Sequence, residues 1–270
     1  MARQAFKNIC RLIDATKEEV APEQSFLGDL KRSIEMTNDK AVREPSRTYK
    51  PSSMTCIRNM YYQVTGHEQD PQMSNYTLVG ICNSGTDIHE RVQKYVADMK
   101  NNGIDCEYIN VADFVRQREL DYLEVVSQQG METKLYNKTL NMSFLCDGII
   151  RYKSKYYILE LKTESSYKWQ GRKGVDPKHY AQGTAYSLVF KIDNVIFVYI
   201  NRDILDMKAF MFTPTDEMRG ALVDKILECD NYVNEGKVPP IPADVPKSSC
   251  EYCSYRGSCR LENNLKGENE

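Results

Sequence analysis

The order of patterns along this chain predicts an α/β fold, a β-sheet flanked by helices. Three observations carry it. "NSGTDIHERVQKYVADMKNNG" repeats apolar residues at helical spacing. "SFLCDGIIRYKSKYYILELKT" then changes to β-rich runs around a short polar turn. Beyond it a helical stretch, two more β-rich runs and a long amphipathic segment follow in turn.

Residues 1–50 are polar and weakly patterned, with a helix from about Ala5 to Val20 and a mobile stretch around "TNDKAVREPSRTYKPSS". "MTCIRNMYYQVTG" reads as a short helix ending at Gly66. In the next helix Ile88, Val92, Tyr95, Val96 and Met99 share a face, His89 lies near the start, and Gly103 closes it. Leu140, Met142 and Phe144 alternate, and two strands flank Lys153–Ser154–Lys155 as a hairpin. Asp176-Pro177 supplies an N-cap and a first-turn proline for a helix to Phe190. "NVIFVYINR" and "MKAFMFT" are strands, and the last long helix stops at Gly236. A proline-rich leash, "VPPIPADVPKSS", leads to a cysteine cluster. The segments are 1–50, helical and mobile; 51–240, the core; 241–262, the cysteine motif; and 263–270, a disordered tail.

The 270 residues carry a net charge of −2, so global charge does not advertise nucleic-acid binding, although a local basic lining suffices for it. No run reaches the roughly 18 apolar residues of a membrane helix, and the N-terminus lacks a signal-peptide h-region. A cytoplasmic location is expected, so the nine cysteines read as thiols. Cys10, Cys82, Cys106, Cys146 and Cys229 are each expected to be small buried hydrophobes. Cys250, Cys253 and Cys259 differ, because Cys-x2-Cys-x5-Cys is metal-site spacing that lacks a nearby fourth ligand.

Period two puts Glu160 and Lys162 on one face of an otherwise apolar strand, and the hairpin can bring Asp147 beside them. Glu-x-Lys alone is common on solvated strands. Joined to a second carboxylate, it is what phosphodiester hydrolysis needs: hard oxygen ligands for Mg2+ or Mn2+, and an amine to orient water or offset charge.

At these residues the sequence resembles the PD-(D/E)xK nuclease superfamily, in its RecB-type branch. "GTDIHERVQ" resembles the upstream helix motif, "LCDGII" and "LELKT" supply the acidic and lysine residues, and "QGTAY" matches Gln-x3-Tyr. Gln182 and Tyr186, four apart, share a helix face. The resemblance implies a restriction-endonuclease-like mixed sheet flanked by helices. It also implies a metal shell of His89, Asp147, Glu160 and the Leu161 carbonyl, with Lys162, Gln182 and Tyr186 joining Asp147 and Glu160 in catalysis. Glu132 is expected in a supporting position or on the surface; His67 and His179 match no motif, although His179 lies near the Gln-x3-Tyr helix and could touch DNA.

Some members of this branch hold an iron–sulfur cluster through one upstream and three C-terminal cysteines. The CRISPR-associated RecB-like exonucleases and AddB-type nuclease domains are examples. "TCIRNMYY" resembles the upstream context, so Cys56 is the expected fourth ligand beside Cys250, Cys253 and Cys259. The 4Fe–4S cluster so implied would pin the C-terminal tail to the segment around Cys56, and Zn2+ on the same thiolates is the alternative. The loop "SSYKWQGRKGVDPKHY" offers Lys168, Trp169, Arg172, Lys173 and Lys178 for DNA, with Arg58 a further candidate.

The reading is a Mn2+- or Mg2+-dependent deoxyribonuclease. By resemblance an exonuclease on single-stranded DNA with 5′→3′ polarity is favoured. The alternatives are a catalytically silent or complex-dependent nucleic-acid-binding subunit, and a structure-specific endonuclease. No Gly-x4-Gly-Lys-Ser/Thr motif is present, so any helicase would be a separate partner, as would a recombination or CRISPR-adaptation protein. A homo-oligomer and a phage origin are both compatible with the chain.

Overall fold

The computed structural model describes residues 21–39, 46–70, 75–243, 245, 247–251 and 253–267. The helix expected over 5–20 lies outside them. The described residues fall into two units. One holds a helix, α1 (Pro22–Asp39), and the first turn of a helix that begins at Tyr76; Glu35 accepts the Tyr76 N–H at 3.0 Å. The other holds the sheets and both candidate sites.

In the larger unit α2 (Ile57–Thr65) ends at Gly66, whose φ of +70° is the left-handed cap that the sequence marks there. Helix α3 spans Tyr76–Asp98, starting earlier than its apolar repeat suggests. Then come β1 (Cys106–Ile109), α4 (Val111–Gln117), β2 (Leu123–Gln129), β3 (Glu132–Asn137), β4 (Met142–Cys146), β5 (Gly148–Tyr152) and β6 (Lys155–Glu164). The sequence reading did not include α1, β1, α4 or β2; β1 has only four residues and α4 seven, too short for a clear period. The β5–β6 hairpin turns on Lys153 and Ser154, both at positive φ, as a two-residue turn requires.

After β6 come α5 (Ser166–Gly171), a 3-10 turn (Pro177–His179) capped by Asp176, and α6 (Tyr180–Phe190). Strands β7 (Val195–Asn201) and β8 (Met207–Phe212) follow, then α7 (Asp216–Glu235), α8 (Lys247–Glu251) and α9 (Arg256–Gly267). The tail expected to be disordered from 263 is helical to Gly267, and 268–270 lie outside the described residues.

Among the described residues the strands form a five-stranded sheet, β1-β5-β6-β7-β8, and a three-stranded sheet, β2-β3-β4. All pairs are antiparallel except β6 with β7, so the larger sheet is mixed. The α5–α6 segment forms the crossover that a parallel pair needs. Helix α6 sits so close to the sheet that a Cβ on Gly183 would lie 2.8 Å from the Phe212 ring.

Central β6 is buried on both faces. Ile158 joins a core with Tyr186, Val189 and Phe190 of α6 and Leu222 and Ile226 of α7. Leu159 and Leu161 join a second core with Ile88 and Val92 of α3. The stretch expected to be mobile before residue 51 contains Tyr49, which is fully buried, donates to Asp230 at 2.6 Å and exchanges backbone bonds with Asn141 and Ser143. Its aromatic ring belongs to the core, which overrides the polar composition around it.

Candidate functional site

Asp147 is the single residue between β4 and β5, where the chain leaves the small sheet and enters the large one. The reading that placed it on a strand is therefore corrected: it occupies the junction. Its backbone is held there, because Gln93 Nε2 donates to its carbonyl at 2.7 Å and Tyr108 Oη lies 2.8 Å away. Gly148 is required beside it, since a Cβ would come within 2.6 Å of the Tyr108 ring. The Leu161 N–H donates to Asp147 Oδ2 at 2.7 Å, leaving Oδ1 3.6 Å from His89 Nδ1.

Glu160 and Lys162 project on the face of β6 that meets α6. Lys162 Nζ is 2.6 Å from Glu160 Oε1. On α6, Tyr186 donates to the Leu145 carbonyl at 2.8 Å, and Gln182 Nε2 donates to Tyr186 Oη at 3.0 Å and to Glu160 Oε1 at 2.6 Å. This chain of bonds fixes one Glu160 oxygen. No hydrogen-bond donor among the described residues reaches the other, Oε2, although it is buried.

His89, Glu132 and Asp147 offer ligand atoms that all lie within 4.8 Å of one another. Glu132 thus stands in the site itself; its position at the start of β3, facing the β4–β5 junction, was not visible without the strand pairing. His89, Glu132, Asp147, Glu160 and Lys162 all line one cleft of about 760 Å3. Three carboxylates stand there, with Lys162 bonded to one of them. Burial, with Lys162 opposing and the Asp147 charge adding, pushes the Glu160 carboxyl up to about 7. Burial and then the Asp147 charge also raise Glu132. At His89 burial favours the neutral ring, yet the hydrogen bond and charge of Asp147 outweigh it and raise its pKa.

A crowded set of carboxylates with one orphaned buried oxygen fits a hard divalent cation, which would remove both the like-charge repulsion and the cost of the bare oxygen, about 1–3 kcal/mol or more. The same cleft is edged by Arg47, Lys50 and Lys134, three cations that sequence reasoning missed because the 46–50 segment and β3 meet the catalytic strand only in the fold.

The basic loop is more committed than its composition suggests. Arg172 binds Glu164 through two nitrogens, reaches Asp176 at 3.1 Å and stacks over Tyr199. Trp169 packs on the core, donates its indole N–H to the Tyr199 carbonyl at 3.1 Å and has Lys208 over its ring. Lys168 and Lys173 are exposed, and Lys178 is partly buried, 3.8 Å from Asp176. His179 stacks on Phe197 with Nδ1 2.8 Å from Tyr199 Oη, and His67 packs on Tyr62.

Cys56, Cys250, Cys253 and Cys259 line a single cavity of about 420 Å3. Arg58, expected near DNA, is instead buried there, with Nη1 3.6 Å from Cys259 Sγ; Asn59 Nδ2 is 3.6 Å from Cys253 Sγ. Backbone N–H groups of Arg58 and Asn59 point at Cys56, and that of Tyr255 at Cys253. Burial nevertheless raises the Cys56 and Cys253 pKa values, and the neighbouring cysteines add to it. Four cysteines gathered on one cavity, with donors aimed at Cys56, Cys253 and Cys259, fit a thiolate-binding cation or cluster. Two contacts seat the segment. Tyr255 packs on Tyr62, and Asp70 accepts the Gly257 and Ser258 N–H groups at the start of α9. Of the other thiols, Cys106, Cys146 and Cys229 are buried as expected; Cys82 is exposed on α3, and Cys10 lies outside the described residues.

No protein-family model matches this chain, and no curated protein does. Solved structures that resemble it include SSO0001, at 16% identity over 85% of this chain and 94% of that one, with a TM-score of 0.44. An alkaline exonuclease (LHK-Exo) from Laribacter hongkongensis aligns at 9% identity over 71% of this chain and 90% of its own, with a TM-score of 0.41. Its complex with dAMP aligns at 8% over the same shares, with a TM-score of 0.40. Likeness at this level carries no functional weight, so the functional reading stands on the geometry. Among the described residues no helix is long and apolar enough to cross a membrane.

Proposed function

We propose that this chain is a divalent-metal-dependent deoxyribonuclease of PD-(D/E)xK type, acting on single-stranded DNA, with a 4Fe–4S cluster on Cys56, Cys250, Cys253 and Cys259. The observation that carries the reading is the buried, unpartnered Glu160 Oε2 in a cleft shared with the His89–Glu132–Asp147 group and Lys162. The metal ligands would be His89, Asp147, Glu160 and the Leu161 carbonyl, with Glu132 added to that set. A bound Mn2+ or Mg2+ supplies Lewis acidity to the phosphate and lowers the pKa of water.

The chain's own residues do the rest. Gln182 and Tyr186 hold Glu160 in one orientation, and the Leu161 N–H does the same for Asp147. Lys162 is within reach of the Glu160 carboxylate and would orient the attacking water or offset charge on the phosphate. In the hydrolysis, water oxygen bonds to phosphorus, the P–O ester bond breaks and the departing oxygen takes a proton. Arg47, Lys50 and Lys134 would bind the strand through its phosphates.

For the cysteine centre, four thiolates suit either zinc or a 4Fe–4S cluster, and the resemblance of the cysteine pattern to cluster-bearing nucleases favours the cluster.

Two assays test the reading. Purified protein with Mn2+ should degrade labelled single-stranded DNA, and no cleavage of either single or double strands would overturn it. Anaerobically purified protein should contain about four iron atoms per chain; stoichiometric zinc in colourless protein would overturn the cluster.

A further inference from the structure

A second cleft of about 350 Å3 adjoins the carboxylate cleft, and Lys162 and Gln182 line both. Cys56, Cys250 and Cys253 also line it, as do Ser53, Thr55, Gln63 and Lys178. Two lysines line it and, among the described lining residues, no Asp or Glu does; the nearest carboxylate to Lys178 Nζ is Asp176, at 3.8 Å. Lys162 is already held by Glu160 at 2.6 Å, so Lys178 is the cation the cleft offers to an anion, beside neutral hydroxyl and amide groups.

Gln63 is 6% exposed, donates from Nε2 to Ser53 Oγ at 2.7 Å, and leaves Oε1 without a hydrogen bond among the described residues. Exchanging the amide oxygen and nitrogen keeps the Ser53 contact, since a hydroxyl donates as well as accepts. It also frees an N–H2 donor for an anion. A buried amide with one end idle is costly, and a phosphate oxygen would satisfy it.

We propose that this cleft holds the phosphate and sugar of the nucleotide adjoining the scissile phosphate, on an unpaired strand. The volume, near the small end for ligand pockets, suits one nucleotide. The cysteine wall then limits how the strand continues past the cut, which gives that centre a part in substrate selection besides holding the chain together. The proposal rests on the nuclease reading above.

Binding of a short labelled oligothymidylate, measured by fluorescence anisotropy in Ca2+ over a range of salt, tests it. Lys178→Ala should flatten the salt dependence by about 0.7 in log–log slope, the loss of one phosphate contact on a single strand. Thr55→Phe, which fills the cleft, should weaken binding of the strand severalfold and leave binding of a duplex unchanged. Lys237→Ala, which removes an equal charge at the end of α7, should change neither. Calorimetry should find Mn2+ binding intact in all three. Wild-type affinity and slope in both cleft variants would overturn the cleft proposal while leaving the nuclease reading standing. An equal loss for duplex would overturn the unpaired-strand assignment. A wild-type protein that holds Mn2+ but binds neither form of DNA would overturn the nuclease reading, and this proposal with it.

Discussion

Glu160 and Lys162 stand two residues apart on one strand, whereas Cys56 and the three other cysteines come from opposite ends of the described chain. The carboxylate cleft is therefore set by sheet pairing: β6 fixes two groups, the β4–β5 junction a third, and α6 packs over them. The cysteine cavity has no sheet beneath it. Its cysteines lie at the start of α2, on two short helices and, for Cys253, between them, held by Asp70, Tyr255 and donors to sulfur. A rigid scaffold can carry strain such as a bare carboxylate oxygen, whereas short helices of five and twelve residues need an external tie. Damage to one site should consequently leave the other standing.

The largest effect expected is on cleavage. Asp147→Ala or Lys162→Ala should lower single-strand cleavage by about 10^3-fold or more, with iron content and visible spectrum unchanged. Loss of the cluster in these variants would break the independence of the two sites.

Cys56→Ser is the converse. It should abolish the visible absorbance, lower stability by at least about 2 kcal/mol and expose the region from 241 onward to proteolysis, because ligand binding is folding energy. Mn2+ binding in the carboxylate cleft should persist by calorimetry. An unchanged denaturation midpoint would remove the tie assigned to this centre.

Gln182→Ala sharpens the comparison within the cleft. Removing one of the two donors to Glu160 Oε1 should cost about 10–100-fold in Mn2+ affinity, as losses of supporting hydrogen bonds do. Tyr186→Phe should follow in the same direction, since Tyr186 fixes Gln182.

The smallest effect is a pH dependence. Burial holds the His179 pKa down, to about 3; Lys162, Lys178 and Arg172 contribute in the same direction and Asp176 opposes them. The neutral ring is the folded form, so this stability is fully present above the ordinary histidine pKa near 6.5. It is lost as pH falls from there toward 3. Between pH 7 and pH 5 stability should drop by about 1–2 kcal/mol, the lower figure allowing for partial exposure. His179→Gln should flatten the melting temperature over that range, and an unaltered pH profile would assign the loss to other groups.

The hairpin, the Asp176-Pro177 start and the Gly66 and Gly236 stops were legible because each is a local rule of turn or cap chemistry. The small sheet was not, because Leu123–Gln129 mixes exposed valines with polar residues and gains its meaning only from pairing with β3. The basic loop misled for a related reason: composition counts Arg172 as a free cation, while burial pairs it with Glu164.

By itself the sequence determined which residues share a strand face or a helix face, since periods of two and 3.6 are properties of the backbone. That His89, Asp147, Glu160, Lys162, Gln182 and Tyr186 would share one cleft was readable on that basis together with family resemblance. Tertiary structure alone decided that Glu132 stands among them, that Arg58 faces sulfur, and that a cleft lined by Lys162 and Lys178 joins the two sites. Those facts depend on contacts between segments far apart in the chain, where spacing carries no information and packing supplies the geometry.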